Sequence, residues 1–331
     1  MPNQNRRLCW EKLFIIIALF GLLSTQANAA SFDCNKAATW LEKTVCSDEV
    51  LSQLDDQLAK AYHDALASLS PEGQKETKEY QRQWLKEELP TCKKDQQDDS
   101  VWCLRYIYEN RIKQLQHSLI KFPDRIFRNV YVHSLERAKN CSYGWITNDL
   151  TYPQIENPRD ENEKFWNNFL FKQATDHFKY SEECINSNDE YSISFSNKHL
   201  ISVERMNSTL TQDAPLPARA AAVSISWLLE SKRELEASDL FDNKTAWCDK
   251  LAALISPKLK EQMAAQKETR TINSYELMYK VTSPSMWVIS KDGLGFGFFE
   301  FYLQGFSVFI TIDWKTLDLY LSKNGHSLIY D

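Results

Sequence analysis

Glycine is scarce in this chain, with eight in 331 residues. No glycine-rich loop of the kind that cradles phosphates is present, and no G-x-S-x-G turn that would expose a nucleophilic serine. The six histidines (His63, His117, His133, His177, His199 and His326) show no H-E-x-x-H or other ligand spacing. The eight cysteines include no C-x-x-C, which argues against zinc thiolate sites. No basic run or patterned cationic face suggests nucleic acid, and the net charge is −6. Carboxylates are abundant, but nothing distinguishes Glu87-Glu88 or Asp98-Asp99 from ordinary solvated charge. The composition therefore predicts a binder rather than an enzyme, with no cofactor and no metal.

Long apolar runs are also missing. Leu13 to Leu23 is the longest, at eleven residues, against about 20 needed to cross a bilayer. It is flanked by Arg6, Arg7 and Lys12 before it and by Ala27-Asn28-Ala29 after it. A charged start, a short apolar core and an A-x-A end describe a secretory signal. Residues 1–29 are therefore expected to be removed, leaving no membrane span and a protein in the periplasm or secreted. Losing three cations and Glu11 takes the net charge from −6 to −8. An acidic exported protein has a mild long-range preference for cationic partners.

From Phe32 to Leu115 the apolar residues recur at helical intervals. Leu51, Leu54, Leu58, Ala61 and Leu66 form one face, widened by Tyr62 and Ala65. Tyr80, Trp84 and Leu85 form a second, and Leu104, Tyr108 or Ile107, Ile112, Leu115 and Leu119 a third. Thr39-Trp40-Leu41-Glu42 has the capping-box form, so a short helix is expected to run into Cys46. Ser70-Pro71 places proline at a first helical position. Cys34, Cys46, Cys92 and Cys103 bracket these segments, and in an oxidising compartment they are expected to be disulfides. Three connectivities exist. Local pairing, Cys34–Cys46 with Cys92–Cys103, is favoured because a short helix can fold back on Cys34. A hairpin of the long helices would instead join Cys46 to Cys92 and Cys34 to Cys103.

These residues resemble the N-terminal domain of the LprI-type lysozyme-inhibitor family. The resemblance rests on Phe32-Asp33-Cys34, Thr39, Glu42-Lys43, Cys46, Asp48, Leu51 and Leu54-Asp55. It continues through Gln83-Trp84-Leu85-Lys86, Cys92, Cys103-Leu104 and Arg111-Ile112. The chain departs from the family at Glu88-Leu89, where an Arg-Asp pair is usual. The resemblance implies a disulfide-stapled helical domain over residues 31–119 that binds a lysozyme.

Pro123, within Ile120 to Asp124, breaks the third helix and marks the expected domain boundary. Beyond it the period changes. Tyr191–Phe195, Leu200–Val203, Ala222–Trp227, Met286–Ile289 and Phe306–Ile312 read as strands. Helices are expected at about Glu161–Phe178 and Lys244–Gln266. Residues 125–331 should thus form an α+β domain with a mainly antiparallel sheet. Tyr152-Pro153-Gln154-Ile155, Asp239-Leu240-Phe241 and Trp287 to Phe296 resemble the extracellular domain of lysozyme-sensing anti-sigma factors and related cell-wall proteins. Phe301-Tyr302 and Gly305 extend that likeness. The Gly-Gly-Ala-His usual there is replaced by Ala214 to Arg219, so no role tied to that histidine carries over. Cys141 and Cys184 are the expected pair in this half, leaving Cys248 as a buried free thiol.

The expected function is inhibition of lysozyme-type cell-wall hydrolases in a bacterial envelope. The alternative is a structural or peptidoglycan-binding envelope protein without inhibitory activity. Between Cys92 and Cys103 the segment reads as a solvated loop. Its Asp95, Asp98 and Asp99 are the candidates for contact with a cationic partner.

Overall fold

The computed structural model describes residues 30–93, 97–142, 144–178, 184–212, 219–268, 271–299 and 307–331. The expected signal lies outside them. The chain forms two compact units. One comprises Met1–Ala61 with Cys92–Ile112, the other Tyr62–Thr91 with Lys113–Asp331.

The first unit is helical. Helix α1 (Trp40–Ser47) begins at Thr39, whose side chain accepts from the Glu42 backbone while Glu42 returns to Thr39. This is the capping box that the sequence predicts. The unit takes in the first part of α2 (Glu49–Ser68) and most of α4 (Gln97–Gln116). On α2 the residues Leu51, Leu54, Leu58 and Ala61 are buried, and on α4 Ser100, Leu104, Tyr108, Arg111 and Ile112. Those spacings of three and four produce one buried stripe per helix. Of the two residues open as the third helix's apolar position, Tyr108 is buried and Ile107 is not. The Tyr108 hydroxyl donates to Asp55 at 3.2 Å, and Asp55 also accepts from Ser31. Burial, then the Asp55 charge, pushes the Tyr108 hydroxyl far above its ordinary pKa.

The second unit is α+β. Helix α3 (Pro71–Gln83) starts at the Ser70 cap with proline in its first turn and runs into a π-helical turn, Trp84–Glu88. A seven-stranded sheet follows in the spatial order of the sequence. Its strands are β1 (Leu119–Lys121), β2 (Ile126–Arg137), β3 (Trp145–Ile155), β4 (Ile185–Ser196), β5 (Leu200–Thr211), β6 (Arg219–Leu228) and β7 (Arg233–Glu234). All neighbours are antiparallel except β3 and β4. A parallel pair needs a crossover, and helix α5 (Glu161–His177) supplies it. Trp166, Leu170 and Ala174 of α5 join Val130, Leu150, Tyr191, Val203 and Trp227 in one core. A second core lies between that sheet and a small antiparallel one of β8 (Trp287–Ile289), β9 (Gly293–Phe299) and β10 (Ser307–Asp313). Before the small sheet come α6 (Ala237–Leu240), α7 (Trp247–Ala265) and α8 (Ser274–Thr282). After it come α9 (Trp314–Leu317) and α10 (Lys323–Tyr330).

Two local expectations are corrected. Leu119 does not extend α4. It opens β1, where pairing of Leu119 with Arg128 overrides the helical period. Tyr152 to Ile155 ends β3, ahead of α5. Pro153 is tolerated there because the ladder to β4 stops at Thr151, and Asn167 of α5 bonds both backbone groups of Ile155. Helix α7 begins at Trp247 rather than near Lys244, because Asp242 closes a turn onto Thr245 and Lys244.

Helix α3 is bound to β2 by charge. Arg128 is 2% exposed, and its guanidinium meets Glu76 at 2.9 Å and Glu156 at 3.1 Å. Glu156 also accepts the backbone N–H of Ser70, so a carboxylate sits at the helix N-terminus where the dipole favours it. A Cβ on Gly73 would lie 3.1 Å from the Arg128 side chain, which explains a glycine in the first turns of this helix.

Candidate partner-binding face

The face is built on α4 and the start of α2. Asp48 lies at the N-terminus of α2, where its Oδ1 accepts from the Leu51 N–H at 2.8 Å. The same carboxylate takes the Arg105 guanidinium in a fork, Nη2 to Oδ2 at 2.6 Å and Nε to Oδ1 at 3.3 Å. Burial works against the Asp48 charge, but the hydrogen bonds from Arg105 and Leu51 hold its pKa below the ordinary value. Arg105 therefore ties α2 to α4 and has its own charge neutralised.

Opposite the buried stripe of α4 runs an exposed one. Asp98, Trp102 and Tyr106 follow at intervals of four, which places them in one row. Trp102 is 72% exposed and Tyr106 59%. Their rings are stacked, 6.2 Å between centroids and 8° from parallel. Ser47, Asp48, Asp98, Val101, Trp102 and Arg105 line an open depression beside them. The Cys92–Cys103 disulfide, with Cα atoms 5.4 Å apart, anchors the helix next to Trp102.

Asp98 and Asp99 thus stand in the first turn of a helix, and the expectation of a solvated loop up to Val101 is corrected. Helix α4 starts at Gln97, and Ser100 within the supposed loop is 1% exposed. Two carboxylates at a helix N-terminus favour the helix through its dipole, which is the physical reason for the difference. Asp95 lies outside the described residues. Asp98 reaches the aromatic row and the depression; Asp99 is exposed beside it.

Among known proteins the first half gives the decisive likeness. Residues 34–115 match the family model of the lysozyme inhibitor LprI. The LprI match covers about a quarter of the chain, including the whole of this face. No curated protein matches the chain. Two solved structures of the DUF3298 family are similar to it. One, from Bacteroides fragilis NCTC 9343, is 16% identical over 62% of this chain and 95% of its own, with a TM-score of 0.42. The other, from Pseudomonas aeruginosa PAO1, is 11% identical over 60% and 94%, with a TM-score of 0.43.

Within the LprI-matched segment the local disulfide pairing is present, Cys34–Cys46 and Cys92–Cys103. Cys141–Cys184 forms the third bridge. Cys248 is free, and half-buried rather than buried, against the core of the small sheet. The departure at Glu88-Leu89 serves packing. Leu89 is 1% exposed, and Glu88 accepts from the Tyr80 hydroxyl at 3.1 Å. Trp166, Trp227 and Trp314 are core residues. Among the described residues no three of His, Cys, Asp and Glu are placed to hold a metal ion, and no helix is long and apolar enough to cross a membrane. The residues that sequence reasoning missed are Trp102, Tyr106 and the Asp48–Arg105 pair. The available signal was the row Asp98, Trp102, Tyr106, out of phase with Leu104, Tyr108 and Ile112.

Proposed function

We propose that this protein binds and inhibits lysozyme-type cell-wall hydrolases outside the cytoplasm. The observation that carries the reading is the match of residues 34–115 to the lysozyme inhibitor LprI. Three disulfides fit an oxidising compartment. An acidic chain, −6 overall, favours approach to a basic enzyme. Inhibition by occlusion requires no catalytic group, only a surface that covers the enzyme's cleft. In this reading the helical stretch 31–119 is the inhibitory module, and Asp95, Asp98 and Asp99 contribute to its contact. Residues 125–331 form the α+β part, onto whose β2 the helix α3 packs, and the leader is removed after Ala29.

The test is a turbidity assay of wall lysis with a panel of lysozymes and increasing amounts of the oxidised protein. Saturable inhibition near one-to-one stoichiometry supports the reading. Co-sedimentation with insoluble peptidoglycan, without inhibition of any lysozyme, would replace it with that of an envelope-binding protein.

A further inference from the structure

We propose that the row Asp98–Trp102–Tyr106 is the docking surface for the cationic face of such a hydrolase. The stacked rings receive an arginine or lysine side chain, and Asp98 and Asp99 pair with the charges around it. The proposal rests on the inhibitor reading and deepens it by naming the anchor.

The argument begins with exposure. An indole carries a large apolar surface, and leaving Trp102 72% exposed forgoes its burial. A second ring lies almost parallel to it on the next turn, so the two make one contiguous aromatic patch rather than scattered apolar groups. Such contiguous exposure marks an interaction site more often than single residues do. Tryptophan and tyrosine are also the residues that most often dominate binding energy when a partner covers them.

Charge selects the partner. The exposed ionisable groups adjoining the patch on α4 are Asp98, Asp99 and Glu109. Arg105, the neighbouring cation, is engaged by Asp48. On α4 the neighbours of the rings are therefore net acidic, and aromatic faces attract cations directly. Anchoring also favours the site. The Arg105–Asp48 fork and the Cys92–Cys103 bridge hold the start of α4, so little ordering is left to be done on docking.

The experiment uses the full oxidised chain with two probes, a basic c-type lysozyme and a tetra-arginine peptide. Trp102→Ala, Trp102→Phe, Tyr106→Ala and the pair Asp98→Asn with Asp99→Asn are compared with wild type. Both rings are largely exposed, so their truncation should leave the thermal midpoint unchanged. Lysozyme Kd should rise by about thirtyfold or more for Trp102→Ala, and by less for Trp102→Phe. The double asparagine variant should slow association by about tenfold at low salt. In wild type the indole N–H resonance missing from Trp102→Phe should shift as the peptide is added.

Inhibition that survives both alanine variants overturns the surface while the inhibitor reading stands. A wild-type chain that ignores every lysozyme overturns the inhibitor reading. The cation-binding face then stands only if the peptide shifts the Trp102 resonance. Peptidoglycan binding that depends on Trp102, with no peptide response, overturns the proposal in favour of a sugar platform.

Discussion

Arg128 donates to Glu156 at 3.1 Å with both side chains almost fully buried, 3% and 4% exposed. Glu156 also receives the N–H of Ser70, and Arg128 also holds Glu76. Two ions thus fix the N-terminal half of α3 against β2. Replacing one partner strands the other's charge in the interior, which costs about 3–5 kcal/mol. Arg128→Met should lower the urea midpoint accordingly, and Glu156→Gln should do so by less because it keeps an acceptor for Ser70. A midpoint shift equivalent to under about 1 kcal/mol in Arg128→Met would show that the network contributes little net stability.

The same arrangement bears on truncation. A fragment ending near residue 118 retains the four cysteines of the LprI match but loses β2. Tyr80 then loses the Tyr131 ring 6.0 Å away, Gln83 loses the His133 carbonyl, and Glu76 loses Arg128. Such a fragment should keep helical circular dichroism in its first unit and fail to protect the amides of α3 from exchange. Full protection across α3 in the isolated fragment would mean that β2 is dispensable for its folding.

Much of this was legible in the sequence. Thr39 with Glu42 and Ser70 with Pro71 announce helix starts through chemistry confined to a few residues, and both appear as expected. The local disulfides were favoured because α1 is short enough to fold Cys34 back on Cys46, whose Cα atoms stand 5.7 Å apart. Strands β2 and β3 were not legible. Buried Arg128, His133 and Asn148 break the apolar alternation, and each occupies its place through a partner remote in sequence or on a neighbouring strand. Trp102 was hidden for a different reason. An aromatic residue next to Cys103 and Leu104 reads as core until the phase of the buried stripe is known.

The Cys34–Cys46 and Cys92–Cys103 bridges close short loops, with sequence separations of 12 and 11. On the chain-entropy account each is worth about 3 kcal/mol. Paired replacement of Cys92 and Cys103 by alanine should lower stability by about that amount. It should also loosen the start of α4, seen as faster amide exchange from Gln97 to Cys103. If exchange there is unchanged, the helix is held by packing and the Arg105–Asp48 fork alone.

His133 of β2 gives a pH signature. It is buried, with Nδ1 2.7 Å from Asp149 on β3 and 4.0 Å from Glu88 at the end of the π-helical turn. Burial opposes its charge, but the Asp149 hydrogen bond and the charges of Glu88, Asp149 and Glu87 outweigh it and raise the pKa above the ordinary imidazole value. A group whose folded pKa is raised stabilises the fold fully below its unfolded value, about 6.5, and loses that contribution as pH rises through the folded value. Wild type should therefore be more stable than His133→Gln by most at about pH 5.5. The margin should narrow as pH rises above about 6.5, where the unfolded chain's imidazole is already neutral, and vanish once the folded imidazole also gives up its proton at its raised pKa. The measurement is urea unfolding of both proteins across pH 5.5 to 8.5. The informative quantity is the difference between the two curves, since other groups titrate in both. A margin that widens with rising pH would mean that burial dominates and that His133 is held neutral in the fold.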